Sequence, residues 1–175
     1  MFIEIGLWLL ESFLLWLMIF AAPFLHIHML WVALPLWINW FFTDFYQERD
    51  GTSLGNAITN GAIMLWVGID FIRFLVHSES FIFFSSEGII KSSLCFVIIF
   101  YGVFVVYKGI KQKKYVPKIA RVRETTYLLL MFAPVVYGVF DMSFQYLFVT
   151  ICFFPLWYYF IEFFTLRDIL RVSDS

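Results

Sequence analysis

Residues 89–123 read IIKSSLCFVIIFYGVFVVYKGIKQKKYVPKIARVR. From Ile89 to Tyr107 the run carries a single charge, Lys91. Its length matches the roughly 20 apolar residues that a helix needs to cross the hydrocarbon core of a bilayer. The run that follows, Lys108 to Arg123, holds seven of the chain's twelve Lys and Arg: Lys108, Lys111, Lys113, Lys114, Lys118, Arg121 and Arg123. Basic loops stay on the cytoplasmic side of a membrane. The stretch therefore predicts a spanning helix that ends in the cytoplasm, and it orients everything on either side.

Composition agrees with a bilayer environment. The 175 residues are 62% hydrophobic and 23% aromatic, with 14% charged. A water-exposed surface needs about 25% charged residues, whereas lipid-facing side chains are apolar like those of a core. The expectation is an all-α, polytopic transmembrane bundle forming one domain with little extramembrane structure. Six spans are predicted, at about 2–20, 24–45, 57–76, 89–107, 125–140 and 145–166. Ala21-Ala22-Pro23 is expected to break the chain tightly after the first span. Kinks are expected at Pro35, Pro134 and Pro155, which neighbouring helices can accommodate. The links between spans one and two and between five and six are short, so each pair is predicted to be an antiparallel hairpin.

With Lys108–Arg123 inside, alternation puts the Gln47–Asn56 loop inside as well, together with its Arg49. The links 21–23, 77–88 and 141–144 fall outside and carry no Lys or Arg. Both termini come out inside, with Arg167 and Arg171 in the tail. The first ten residues contain Glu4 and no cation, which does not match a signal peptide's positive start. The reading is an integral membrane protein, with nothing to say which membrane. A duplicated hairpin is a further possibility, because Pro35-Leu36-Trp37 is echoed by Pro155-Leu156-Trp157.

Ionisable groups inside a bilayer are costly and mark functional candidates. Glu11 lies about 14 Å from the inner end of the first span. Asp70 and Arg73 are three apart and share a helix face in the outer third of span three. Lys91 lies at a similar depth on span four. Asn56 and Asn60 are four apart within the small, polar segment Gly51–Gly61. That segment reads either as a polar cavity lining with a broken helix or as a helix start with a small-residue packing face. These six residues form the candidate ion or solute pathway.

The seven basic residues of 108–123 are candidates for contact with anionic lipid headgroups or a partner. Orientation already accounts for them, so no nucleic-acid partner is expected. His26, His28 and His77 share one boundary, but His26 and His28 diverge by about 200° on a helix, so no metal is expected. Cys95 and Cys152 sit in apolar runs and read as small hydrophobes. Asp50-Gly51 and Asp70 do not complete the motif of the membrane enzymes that transfer phospho-alcohols from CDP-activated lipids. Leu54-Gly55 stands where that motif needs Ala-Arg, and the later Asp residues are off register. No catalytic residue and no cofactor are predicted. The functional expectation is a small ion, proton or solute channel or transporter using intramembrane carboxylates. A non-catalytic subunit of a larger membrane complex is the alternative, and a lipid-modifying enzyme is third. A homo-oligomer or a place in a membrane complex is expected in either of the first two cases.

Overall fold

The computed structural model describes residues 2–44, 52–78 and 82–166. Residues 47–51 of the Gln47–Asn56 loop, Phe81 and the tail with Arg167 and Arg171 lie outside the described residues. Among the described residues all regular structure is helical: α1 (Phe2–Leu25), α2 (Leu30–Phe42), α3 (Leu54–His77), α4 (Ser86–Ile110), α5 (Val116–Ile119), α6 (Val122–Val136), α7 (Phe144–Cys152) and α8 (Phe154–Leu166). Four stretches are long and apolar enough to cross a membrane: Ile3–Leu25, Leu54–His77, Ser86–Ile110 and Phe144–Ile161. The stretch Ile27–Phe42 is apolar but shorter. Helix α6 has 15 residues and so rises only about 22 Å.

The break expected at Ala21-Ala22-Pro23 is not there. Helix α1 runs through Pro23 to Leu25, and the chain turns at His26 (φ −123°, ψ 88°) into a 3-10 turn at Ile27–Met29. Proline removes one helical hydrogen bond and its ring crowds the carbonyl four residues back, but its φ is helical, so residues beyond it can stay helical. Pro155 does mark a discontinuity, since α7 stops at Cys152 and α8 resumes at Phe154. After Pro134 the helix ends at Val136, and Gly138 at φ +71° reverses the chain, a backbone conformation that favours glycine.

Two devices hold the bundle together. The first is the close pairing of α3 with α4. The segment Gly51–Gly61 resolves on its helical side as a capped start with a packing face. The Ser53 hydroxyl accepts a hydrogen bond from the Asn56 N–H at 3.1 Å, and α3 is unbroken from Leu54. Gly61 and Gly102 meet at the crossing. A Cβ on Gly102 would lie 2.9 Å from the Gly61 carbonyl oxygen, and one on Gly61 would lie 2.7 Å from Val105 Cγ1. Such small-residue contacts let membrane helices approach closely.

The second device is α6, which is buried nearly all round. Eleven of its 15 residues are buried. Leu129, Leu130, Ala133 and Val136 pack with α2, α3 and α4. Tyr127, Met131 and Val135 pack with α1, α7 and α8. Two tyrosines cross-brace α6 and α7: the Tyr127 hydroxyl donates to Thr150 O at 2.9 Å, and the Tyr146 hydroxyl donates to Met131 O at 2.6 Å. Helix α1, by contrast, turns Leu7, Leu10, Leu14, Leu17 and Met18 outward.

Replacing Gly102 with valine should displace backbone, because the obstacle is a carbonyl oxygen. The overpacking cost is about 1–3 kcal/mol, read as a lowered unfolding midpoint in detergent. Gly6, with nothing within 4 Å of a built Cβ, is the control: Gly6→Val should leave the midpoint unchanged. Equal midpoints for the two variants would contradict the close α3/α4 crossing.

Candidate functional site

Helix α2 buries Val32, Ala33 and Leu36, all on the face toward α6. Its other face, Trp31, Leu34 and Ile38, is about half exposed. Across from it, α3 buries Met64, Val67, Gly68 and Phe71 and exposes Trp66 and Ile69. The two helices run antiparallel, and a pair of asparagines clasps one end. There the Asn39 amide donates to Asn60 Oδ1 at 3.1 Å, and the Asn60 amide donates to Ala120 O at 2.8 Å. Asn60 is fully buried. Its satisfied amide therefore serves as a joint between α2, α3 and the approach to α6, as expected of a buried polar group.

Beyond that clasp the helices part around a groove of about 1110 Å³. Trp31 and Trp66 face each other across it, ring centroids 6.3 Å apart. Leu34, Pro35, Ile63 and Ile69 complete its apolar walls, and His28, Asp70 and Arg73 close its far end. On the other side of the clasp a smaller cavity of about 440 Å³ is lined by Pro35, Ile38, Asn39, Phe42, Thr43, Asn56 and Thr59. Pro35 lines both, so the two cavities belong to one seam. Among the described residues the buried amide nitrogen of Asn56 has no hydrogen-bond partner.

Asp70 and Arg73 pair as their spacing suggested. Arg73 donates from Nε at 2.8 Å and from Nη2 at 2.6 Å, both to Asp70 Oδ1. The Tyr137 hydroxyl donates to Asp70 Oδ2 at 2.6 Å. Both carboxylate oxygens are thus engaged, and Asp70 is 3% exposed while Arg73 is 60% exposed. Both members line the groove, the cation exposed and the carboxylate withdrawn. His77 Nδ1 lies 2.7 Å from the Arg73 carbonyl oxygen.

The other sequence candidates are placed apart from this pair. Lys91 pairs with Glu87 one turn earlier on α4, and its amine sits beside the Gly138 turn. Glu11 is exposed on the outside of α1. Ser12, its neighbour, points inward and accepts a hydrogen bond from Gln145 at 3.1 Å. Asn56 and Asn60 are near the clasp, not at the groove's charged end. Among the described residues no group of three or more His, Cys, Asp or Glu could hold a metal ion.

Of the basic segment, Lys111, Lys113, Lys114 and Lys118 are exposed. Lys108 lies over the rings of Phe104 and Tyr107 at 5.7 and 5.6 Å, and Lys111 lies 6.0 Å from the Tyr107 centroid. Arg121 reaches Glu124 at 3.7 Å. Arg123 departs from the expected solvated loop. It folds into the bundle, and its Nε lies 2.6 Å from Oδ1 of Asp44, whose side chain is 2% exposed. The sequence reading missed Asp44, which fell inside the predicted second span, 24–45, and lies just past α2. It also missed Asn39 and Tyr137, single polar groups in aromatic runs. Glu124 accepts a hydrogen bond from the Tyr158 hydroxyl, and the Trp157 indole donates to Arg123 O at 3.2 Å. These contacts tie α8 to the first turn of α6.

Comparison of the chain with protein-family models, curated proteins and solved structures gives no match.

Removing one partner of a buried ion pair strands the other charge, at a cost on the order of 3–5 kcal/mol. Asp44→Asn and Arg123→Gln should each lower stability by that order in denaturant titrations in detergent. The double variant should lose less than the sum of the two. Additive losses would mean that the two side chains do not depend on each other.

Proposed function

We propose that this chain is a six-span membrane protein with both termini on the cytoplasmic side, and that it carries a membrane-dissolved amphiphile in the groove between α2 and α3. The groove itself is the observation that carries this reading. It is apolar along its length, open at the bundle's flank, and closed at one end by the Asp70–Arg73 pair. Small-molecule sites are typically concave, mostly apolar and supplied with a few placed polar groups. An ion path would need Glu11 and Asp70 to share a wet route, and they lie on different faces. The amphiphile reading needs no such route. The four long spans count as crossings by length, and the shorter helices α2 and α6 supply the other two. The short α6 is compatible with crossing because protein surrounds it on nearly all sides, and its charged first turn lies beside the basic loop.

A second reading, a subunit of a larger membrane complex, is favoured by Glu11. Among the described residues it has no hydrogen-bonding or ion-pairing partner, and it projects from an apolar face where an unpaired carboxyl is costly. A partner subunit's helix against α1 would cover it.

The orientation has a direct check. A cysteine placed at Lys113 should react with a membrane-impermeant maleimide only when the cytoplasmic face is accessible. Labelling from the opposite face of sealed vesicles would reverse the topology.

For the groove, the purified chain is reconstituted alone with a lipid carrying a photoactivatable acyl chain. Crosslinks should map to Trp31, Leu34, Trp66 and Ile69, and Leu34→Trp should cut their yield several-fold. The same variant should slow transbilayer movement of a fluorescent lipid. Crosslinks spread evenly round the bundle, or untouched by Leu34→Trp, would remove the amphiphile reading. If in addition a larger species in mild detergent is dissolved by Glu11→Leu, the subunit reading takes its place.

A further inference from the structure

The charged end of the groove identifies the kind of head that an amphiphile bound there carries. We infer that Arg73 receives the phosphate group of a membrane phospholipid, whose acyl chain lies along Trp31, Leu34 and Trp66. The inference rests on the groove being a binding site, as proposed above.

Three observations lead to it. The first is the asymmetry of the ion pair. Asp70 is withdrawn, with Oδ1 taken by Arg73 and Oδ2 by the Tyr137 hydroxyl. Arg73 is largely exposed and lines the groove. A guanidinium has five N–H donors, and two are spent on Asp70, one from Nε and one from Nη2. The rest of the fork, including all of Nη1, is left for an acceptor. Held at one edge by a buried carboxylate, it is already oriented, so little side-chain freedom is lost on binding. The second observation is that His28 lines the same end of the groove, so a further ring N–H is within the site. The groove end thus has several donors and no free carboxylate oxygen. A phosphodiester, with its two anionic oxygens, fits that chemistry. The hydroxyl of a diacylglycerol or the ring of a sterol leaves most of those donors unmet.

The third observation is depth. Arg73 is one turn short of the end of α3 at His77, about 6 Å along the axis. It lies nineteen residues after Leu54, roughly 28 Å away, close to the full thickness of a hydrocarbon core of about 30 Å. With Leu54 at the opposite boundary of that core, a guanidinium there is level with lipid phosphates, and Trp31, Leu34 and Trp66 are level with acyl chains.

The test is native mass spectrometry of the full chain from detergent, with phosphatidylglycerol, phosphatidylcholine and diacylglycerol of identical acyl chains added in turn. Both phospholipids should be retained about tenfold more than diacylglycerol, the scale of one charge-assisted hydrogen bond of about 1.5 kcal/mol. Arg73→Leu should bring them down to the diacylglycerol level, and Arg73→Lys should keep part of the difference. Because Arg73→Leu strands Asp70, the Asp70→Asn/Arg73→Leu double variant is measured beside it. That pair of changes preserves a partner for the Tyr137 hydroxyl without a buried charge. Equal retention of the three lipids, or phospholipid retention unchanged in the folded double variant, overturns the phosphate assignment. Leu34→Trp separates this from the fate of the groove. Loss of all three lipids in that variant without any headgroup preference leaves the groove standing and the phosphate assignment refuted. No effect of Leu34→Trp on any lipid refutes both.

Discussion

The structure depends on a short helix buried on nearly every side. Helix α6 is too short to present an independent lipid-facing surface, and the other helices are arranged around it. Its apolar body divides the core into two halves, one with α2, α3 and α4 and the other with α1, α7 and α8. Its ends are tied by polar groups. At the start, Asn60 reaches Ala120 O, Arg123 pairs with Asp44, and Glu124 holds Tyr158. At the finish, Tyr137 reaches Asp70. Between apolar helices in lipid the hydrophobic effect gives little discrimination, and packing with hydrogen bonds decides the arrangement. Polar ties at both ends of one helix are what set where the others stand.

The groove is a consequence of that arrangement. Helix α3 is committed to α4 by the glycine crossing at Gly61 and Gly102, and α2 is committed to α6 by Val32, Ala33 and Leu36. Neither helix is free to close on the other. They meet at the Asn39–Asn60 clasp, and beyond it Trp31 and Trp66 pair across the groove that they line. The same commitments place the Asp70–Arg73 pair at the end of the gap. Tyr137, delivered by the end of α6, engages the carboxylate from behind and leaves the guanidinium outermost.

Much of the fold was legible in the chain. Long apolar runs identify α1, α3, α4 and the α7–α8 stretch, because the requirement to span hydrocarbon is a matter of length and apolarity. The i, i+3 spacing put Asp70 beside Arg73 before any tertiary information, since helix geometry alone brings them together. Other features were not legible. Arg123 looks like its basic neighbours, and only the position of Asp44 beneath it distinguishes a buried ion pair from a solvated loop. Glu11 drew attention as a mid-span carboxyl. Whether such a group faces a core or the bilayer is not encoded by its own position when both surroundings are apolar.

That ambiguity divides what the sequence determined from what the tertiary structure decided. Composition and the lengths of the apolar runs determined an all-helical chain with apolar spans, and the clustered cations supplied an orientation to test. In a soluble protein the same patterning also tells inside from outside, because water penalises apolar exposure. For helices set in a bilayer, lipid removes that penalty, so the burial of each face is left to packing. Only the assembled bundle put α6 at the centre, parted α2 from α3, turned Arg123 inward and left Arg73 facing a groove. Those outcomes depend on small-residue crossings and single hydrogen bonds between residues 21 to 79 positions apart, and no local reading of the chain connects them.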